Sequence, residues 1–535
     1  MLNKILSFFL TIIFAVDSFW CCCILRDYIK IEKAEESVPF YVDGMSENGL
    51  FSYGVKNNKN LFEPGEKVTV VIECADPSFY GKRAKVSLNS EQAGISKRGY
   101  FLFEKEKAQY SFSFTGEKNG IFTVTLTLTD RKKYSFNIGI MQKNNTANDR
   151  FYYGVQPYLM RARCWSENDL IPGKNSEQTI NTILDSAEFL GANLIREDFV
   201  GWGNMQSGAG AEISYDNQDY LVKKVTGLGL KYNWILGCNA GEWSINQKYK
   251  GSYVPDMLWT YAPDESLWNS FVEKISDHYA DNTGILWEIW NEPNWDFFSG
   301  TQEEYFTLLE NTAKIIKNKN PKAYVYSGGL AVAERESNLN YYKKSAELID
   351  EGLLDNFGYH NHDFPDKYYD NMSQMYSVAR KAGLEASGIN SESGIVGVDA
   401  SFIARKALYT RSKGAKGFVS FSFRKNPKPE SDINDFAFFD EYLQPSEAVL
   451  SYSTVIRFLG NASFLKNVKD TEDLVVDEYQ TEDGLIMVYY SFGKKSKIKA
   501  PENTSEAYDM YGNPIRIKRK ITVSEKPVYV VIKGA

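Results

Sequence analysis

Hydrophobic and polar positions change their spacing along the chain, and those changes mark its parts. Between residues 35 and 142 the spacing is two. Residues 67–72 follow the turn-forming pair Pro64-Gly65, residues 109–114 alternate as Gln-Tyr-Ser-Phe-Ser-Phe, and residues 120–128 repeat the pattern from Gly120 to Leu128. Short strands with one apolar face and turn residues between them predict an all-β sandwich. The polar stretch 142–149 then reads as a linker.

From 150 to 460 the pattern is of strands alternating with helices. Residues 175–190 place Ile180, Ile183, Leu184, Ala187 and Leu190 on one helical face, Gly191 stands where a left-handed cap would end the helix, and 193–195 begin a strand. The same reading gives a helix at 220–227, a strand at 231–236, a helix carrying Trp268, Phe271, Val272, Ile275 and Tyr279, and a strand at 285–290. Thr301-Gln302-Glu303-Glu304 has the spacing of a capping box. It heads a helix whose apolar stripe is Phe306, Leu309, Ala313 and Ile316, and Asn320-Pro321 stops that helix. Strands at 152–155, 324–326, 356–360, 385–391 and 417–423 bring the number to eight, with further helices near 370–382 and 399–413. Eight such repeats predict an α/β fold of the (β/α)8 TIM barrel type. A doubly wound open sheet is the alternative, and no glycine-rich phosphate loop supports it. Beyond 463 the chain returns to β-branched runs at 484–490 and 528–532. The predicted organisation is a barrel at 150–460, flanked by an N-terminal β-sandwich at 35–142 and a small C-terminal β domain at 463–535.

Composition narrows the partners. Among 535 residues, 61 Lys+Arg stand against 69 Asp+Glu for a formal charge of −8, which argues against nucleic acid. The 35 Tyr, 33 Phe and 10 Trp suit both thick cores and surfaces that stack on sugar rings. Three of the six cysteines cluster at 21–23, while Cys74, Cys164 and Cys238 are scattered, so neither a disulfide framework nor a cysteine metal site is indicated. Residues 1–30 read as an address. The apolar run 5–16 has the length of a signal-peptide core, and 5–25 taken whole could just span a bilayer if Asp17 is tolerated. A signal peptide or membrane anchor is therefore expected, with the protein secreted or attached to the cell envelope.

In a barrel, chemistry collects where the strands end at their carboxyl side. The predicted strand 285–290 runs into Asn291-Glu292-Pro293-Asn294, so Glu292 falls where the backbone leaves the strand. One hundred residues later, Glu392 in Asn390-Ser391-Glu392-Ser393-Gly394 holds a similar place, and three strand–helix units fit the interval. Two carboxyls facing each other across an aromatic cleft are what cleavage of a glycosidic bond requires, one to protonate the leaving oxygen and one to attack the anomeric carbon.

The run Trp287-Glu288-Ile289-Trp290-Asn291-Glu292-Pro293-Asn294 resembles the acid/base motif on the fourth strand of clan A glycoside hydrolases, family 39 especially. The resemblance extends over 150–460, and Asp509-Met510-Tyr511-Gly512-Asn513-Pro514 resembles a turn common in the small β domain of such enzymes. It implies a retaining hydrolase of poly- or oligosaccharides that needs no cofactor or metal. Glu292 would be the general acid/base, Asn291 a contact of the sugar 2-hydroxyl, Glu392 the nucleophile, and Arg196 the cation that keeps Glu392 ionised. The sequence departs from the family in two places. His362 in His360-Asn361-His362 stands where many members carry a tyrosine that bonds the nucleophile, and at the eighth strand Ser420-Phe421-Ser422-Phe423 offers phenylalanine where a tryptophan is usual. His360 and His362 join the binding candidates, with Trp202, Trp243 and Trp295 as platforms for sugar rings. Glu288 shares the parity of Glu292 and is expected in a buried ion pair. The competing expectation is a carbohydrate-binding or envelope protein on a barrel that does not catalyse.

Overall fold

The period-two runs of the first part form strands because each can bury one apolar face and leave the other in water. The computed structural model describes residues 28–533 apart from 35–36, 38, 47–48, 57–58, 166–168, 198–200, 386–387, 426–434 and 518. The leader reading of residues 5–25 lies outside the described residues. The chain divides into two units, one ending at Gln142 and one beginning at Lys143. In the first, Val68–Cys74 and Ala108–Phe114 lie in one five-stranded sheet, and Arg83–Ser90, Gly120–Thr127 and Lys133–Ile140 in another. Val70, Ile72 and Phe112 from the first sheet share a core with Val86, Leu126, Phe136 and Ile138 from the second. That makes the unit a β-sandwich.

The second unit is a parallel barrel. Its strands are β1 (Tyr152–Val155), β2 (Leu194–Glu197), β3 (Lys231–Leu236), β4 (Ile285–Ile289), β5 (Tyr324–Ser327), β6 (Gly358–His360), β7 (Ile389–Ser393) and β8 (Gly417–Ser420). They pair in the order β5-β4-β3-β2-β1-β8-β7-β6, and single parallel bridges Tyr326–Asn356 and Leu330–Tyr359 link β5 to β6. The helices are α1 (Ser176–Leu190), α2 (Asp216–Gly227), α3 (Glu265–His278), α4 (Gln302–Lys319), α5 (Leu339–Asp350), α6 (Pro365–Lys381), α7 (Ala400–Ser412) and α8 (Glu447–Leu459). Local signals set their ends. Gly191 caps α1 in the left-handed region at φ 83°, and Thr301 and Glu304 form the expected capping box of α4.

Other signals are displaced. On α4 the buried face runs through Tyr305, Leu308, Leu309, Thr312, Ala313 and Ile316, so Phe306 lies at its margin. The predicted strand 417–423 stops at Ser420. After α8, the strands Ser463–Thr471, Leu474–Thr481, Gly484–Tyr490, Val528–Lys533 and Glu506–Tyr508 form a five-stranded sheet, with a two-stranded one beside it. This C-terminal β domain covers α7: Arg405 Nη1 donates to Ser491 O at 3.0 Å, and Phe492 packs against Tyr368 and Tyr409. With the barrel on its other side, α7 has every residue buried. Among the described residues no helix is long and apolar enough to cross a membrane.

Candidate active site

Inside the barrel the first inward layer is apolar. Tyr152, Leu194, Leu286, Tyr326, Ile389 and Val419 come from six different strands and pack together. Two residues further along β2 and β4, the same parity places Arg196 and Glu288 inward, both fully buried. Every N–H of the Arg196 guanidinium finds an acceptor. Nε donates to Glu288 Oε2 at 2.8 Å, and Nη2 to Glu288 Oε1 at 3.1 Å and Asn291 Oδ1 at 2.7 Å. Nη1 donates to Gln156 Oε1 at 2.7 Å and Glu392 Oε2 at 2.6 Å. Five donors in a rigid fork thus bind two carboxylates and two amides. Glu288 also accepts from Asn233 Nδ2 and Tyr326 OH at 2.9 Å each, and from Ser391 Oγ at 2.9 Å. Burial works to raise the Glu288 pKa, but Arg196 overcomes it and holds the carboxyl below its ordinary value.

Glu292 reaches the site through a strained turn. Trp290 and Glu292 both have positive φ, 70° and 43°, which costs non-glycine residues energy unless neighbours fix the chain. The neighbours do so here. Glu292 N donates to Gly329 O at 2.9 Å, Trp290 N to Leu236 O at 2.9 Å, and Asn294 bonds Ala331 through both its amide atoms. The Glu292 carboxyl, 14% exposed, lies 2.8 Å from His360 Nδ1. His360 is buried, with its Nε2 3.2 Å from Ser391 Oγ and 3.5 Å from Arg196 Nη2. Gly329 leaves room for that ring, since a Cβ there would meet His360 Nε2 at 2.1 Å.

Glu392 owes its direction to an irregularity in β7. Along β6 the partners pass from Tyr359–Asn390 to His360–Glu392, and along β8 from Asn390–Phe418 to Ser393–Ser420. The extra residue breaks the alternation, so Ser391 and Glu392, adjacent in sequence, both reach the interior network. Glu392 is 14% exposed, with Arg196 on one oxygen and His362 Nε2 at 3.3 Å from the other. Burial tends to raise its pKa, but His360, the hydrogen bond from His362 and the charge of Arg196 outweigh that effect. Glu392 is held well below the usual carboxylate range. The His362 ring sits edge-on to Phe421 and Phe436 at 5.4 and 5.6 Å, and among the described residues its buried Nδ1 has no hydrogen-bond partner.

Glu292, Glu392, Asn291, Arg196, His360 and His362 are therefore brought together at one barrel end. The expected ion pair of Glu288 is present, shared by Arg196 with Glu392. The tryptophans divide. Trp202 is 1% exposed, stacked on Phe271 at 5.1 Å and edge-on to Trp268 and Trp243, with its Nε1 on Gln206. A ring so enclosed has no face for a sugar, which corrects its assignment as a platform; it is core beneath a loop. Trp243 is half-buried above it. Trp295 is 43% exposed, with the Arg335 guanidinium 5.3 Å from its ring centre. Sequence reading missed Gln156, Asn233, Tyr326 and Ser391, which complete the network. The inward parity of Asn233 and Tyr326 was the available signal. Among the described residues no group of three or more His, Cys, Asp or Glu stands together to hold a metal ion.

Residues 162–420 match the model of the cellulase family (glycosyl hydrolase family 5), a span that includes β2 to β8 and both glutamates. A family 39 glycoside hydrolase from the gut symbiont Bacteroides cellulosilyticus is similar in structure, with a TM-score of 0.65 at 15% identity over 89% of this chain and 99% of that one. A glucosidase from Croceicoccus marinus aligns at 13% identity over 74% and 98% of the two chains, with a TM-score of 0.47. A family 5 xyloglucanase from Bacteroides ovatus aligns at 11% identity over 76% and 100%, with a TM-score of 0.36. No curated protein sequence matches the chain.

The barrel and the match over 162–420 make the chain similar to glycoside hydrolases of the clan A type. The fold is similar to that of the family 39 enzyme.

Proposed function

We propose that the barrel hydrolyses a poly- or oligosaccharide with retention of anomeric configuration, by double displacement. The observation that carries this reading is the contrast between two carboxyls at one barrel end. Glu392 lies against a guanidinium and an imidazole and is kept ionised, while Glu292, among the described residues, makes no contact with a guanidinium or ammonium and meets the His360 ring at 2.8 Å. An ionised carboxylate to attack and a second carboxyl to serve as acid are the two requirements of the first step.

In that step a Glu392 oxygen attacks the anomeric carbon as the glycosidic bond breaks, and Glu292, acting as the acid, gives its proton to the leaving oxygen. In the second step Glu292 takes a proton from water, and the resulting hydroxide displaces Glu392 from the sugar. Asn291 Oδ1 is committed to Arg196, so its amide N–H groups are the ones that can meet a sugar hydroxyl. Arg196, fully buried, works by holding Glu392 and Asn291 in place. Trp295, three residues beyond Glu292, would lie on the leaving-group side. Residues 5–25, read as a leader or anchor, would carry the enzyme to the envelope or beyond it, where polysaccharide is met.

Glu292→Gln tests the division of labour. Hydrolysis of aryl glycosides with poor leaving groups should fall by about 10²- to 10⁴-fold, the usual worth of a general acid. Glycosides whose aryl group leaves unaided should form the intermediate almost as fast as with the parent. Equal losses across the leaving-group series would remove Glu292 from the acid role.

A further inference from the structure

We propose that Lys406, on the outer side of the barrel wall, is a positioning residue that fixes the spacing between the ends of β6 and β7 and so the contact of His362 with Glu392. This rests on the reading of Glu392 as nucleophile. Lys406 lies on α7 and has no exposed surface. Its Nζ donates to Gly394 O at 2.7 Å and Asn361 O at 3.0 Å. Asn361 stands between His360 and His362, and Gly394 is two residues past Glu392. One amine thus ties together the two segments that carry the site's imidazoles and its ionised carboxyl.

The same segments meet twice more. Asn361 N donates to Glu392 O at 3.1 Å, and Ser393 Oγ donates to Asn361 O at 2.6 Å. The ends of β7 and β8 are pressed close, since a Cβ on Gly394 would come within 2.2 Å of Phe421 O, and Phe421 in turn walls His362. A shift of Gly394 or Asn361 would therefore change how His362 lies on Glu392.

The burial of this lysine carries an energetic cost. Among the described residues it makes no ion pair, and the faces of Phe402 and Tyr368, with centres 4.9 and 5.1 Å away, are its other neighbours. Burial pushes its pKa down to about 7, opposed by the Asp363 carboxylate. Burying an amine costs more than two neutral acceptors restore, and an apolar side chain of similar length would pack against those rings. The two carbonyl bonds need two N–H groups, which both the amine and the ammonium possess, so the tie holds on either side of its titration.

The chain has three histidines in all, His278, His360 and His362, so an isotope-labelled imidazole spectrum needs no substrate and few assignments. His278, on the outer face of α3 and stacked on Tyr215 at 3.8 Å, serves as the internal reference. Glu392→Gln first defines the displacement of the His362 signals on loss of their carboxylate. Lys406→Met should move those signals in the same direction while His278 stays. Lys406→Gln, which keeps two N–H donors, should bring them back toward the parent position. Ser393→Ala should give a smaller displacement of the same sign, which keeps the test alive if the Lys406→Met protein does not fold. Turnover of an aryl glycoside by Lys406→Met should fall by about tenfold or more in kcat with KM little changed, as expected for a misplaced reacting group. His362 signals that stay in place in Lys406→Met, or in Ser393→Ala, would overturn the proposal. If Glu392→Gln itself leaves them unmoved, the reading of the nucleophile's surroundings has failed rather than the role of the lysine.

Discussion

The lower and upper layers of the barrel interior are built from the same strands, two residues apart. Below, Leu194, Leu286 and Ile389 fill the barrel with Tyr152 and Val419 by burial alone, an attraction that needs only shape and volume. Above, Arg196, Glu288 and Ser391 stand at the matching positions, and nearly every contact there is a directed hydrogen bond. The difference teaches how a rigid fold can hold a reactive set. The apolar layer fixes the strands, and the fixed strands let buried charges meet with no freedom left to relax. The upper layer contributes little to stability for its size, because desolvating two carboxylates and a guanidinium offsets much of what their pairing supplies. It contributes a prearranged field.

Substitutions in the two layers should separate those roles. The largest effect is expected at Glu392→Gln, with turnover falling by at least about a thousandfold and a thermal midpoint closer to the parent's than that of any lower-layer truncation. A variant that keeps a few per cent of activity would break the comparison. Next is Arg196→Met, which leaves Glu288 buried without its cation and should cost about 3–5 kcal/mol. Arg196 lowers the pKa of Glu288 and Glu392, so its stabilising effect is present above the unfolded carboxylate pKa and is lost as pH falls through their depressed folded values. The variant should therefore be much weaker than the parent at neutral pH and approach it in acid, and the acid limb of its activity should lie at higher pH. A stability difference that stays constant with pH would contradict the assignment. Smallest at the site is Leu286→Ala. It should cost about 2–5 kcal/mol in denaturant unfolding by leaving a cavity, with turnover per folded molecule unchanged.

Those parts of the molecule that depend on nearby residues were legible in the sequence. Gly191, the Thr301–Glu304 box and the Asn-Glu-Pro turn at 291–293 act over four residues or fewer, and each is where the pattern predicts. Glu392 was legible as the residue at a strand end. Its inward aim was not, because the irregularity in β7 exists only in the pairing with β6 and β8. Trp202 misleads for a related reason: a tryptophan after a strand has the same local sequence whether its ring faces the cleft or, as here, Phe271 and Trp268. The role of Lys406 was beyond sequence reading altogether. Its amine meets Asn361 O and Gly394 O at the ends of two strands, partners that no local pattern around α7 names.

The central claim is double displacement through Glu392, and the most direct test is the anomer released first. Glycan hydrolysis followed by proton NMR from the earliest turnover should show the new reducing end in the configuration of the bond that was cut, before mutarotation mixes the forms. Appearance of the opposite anomer first would contradict the account, because Glu392 would then act as a base through water rather than bond to the sugar.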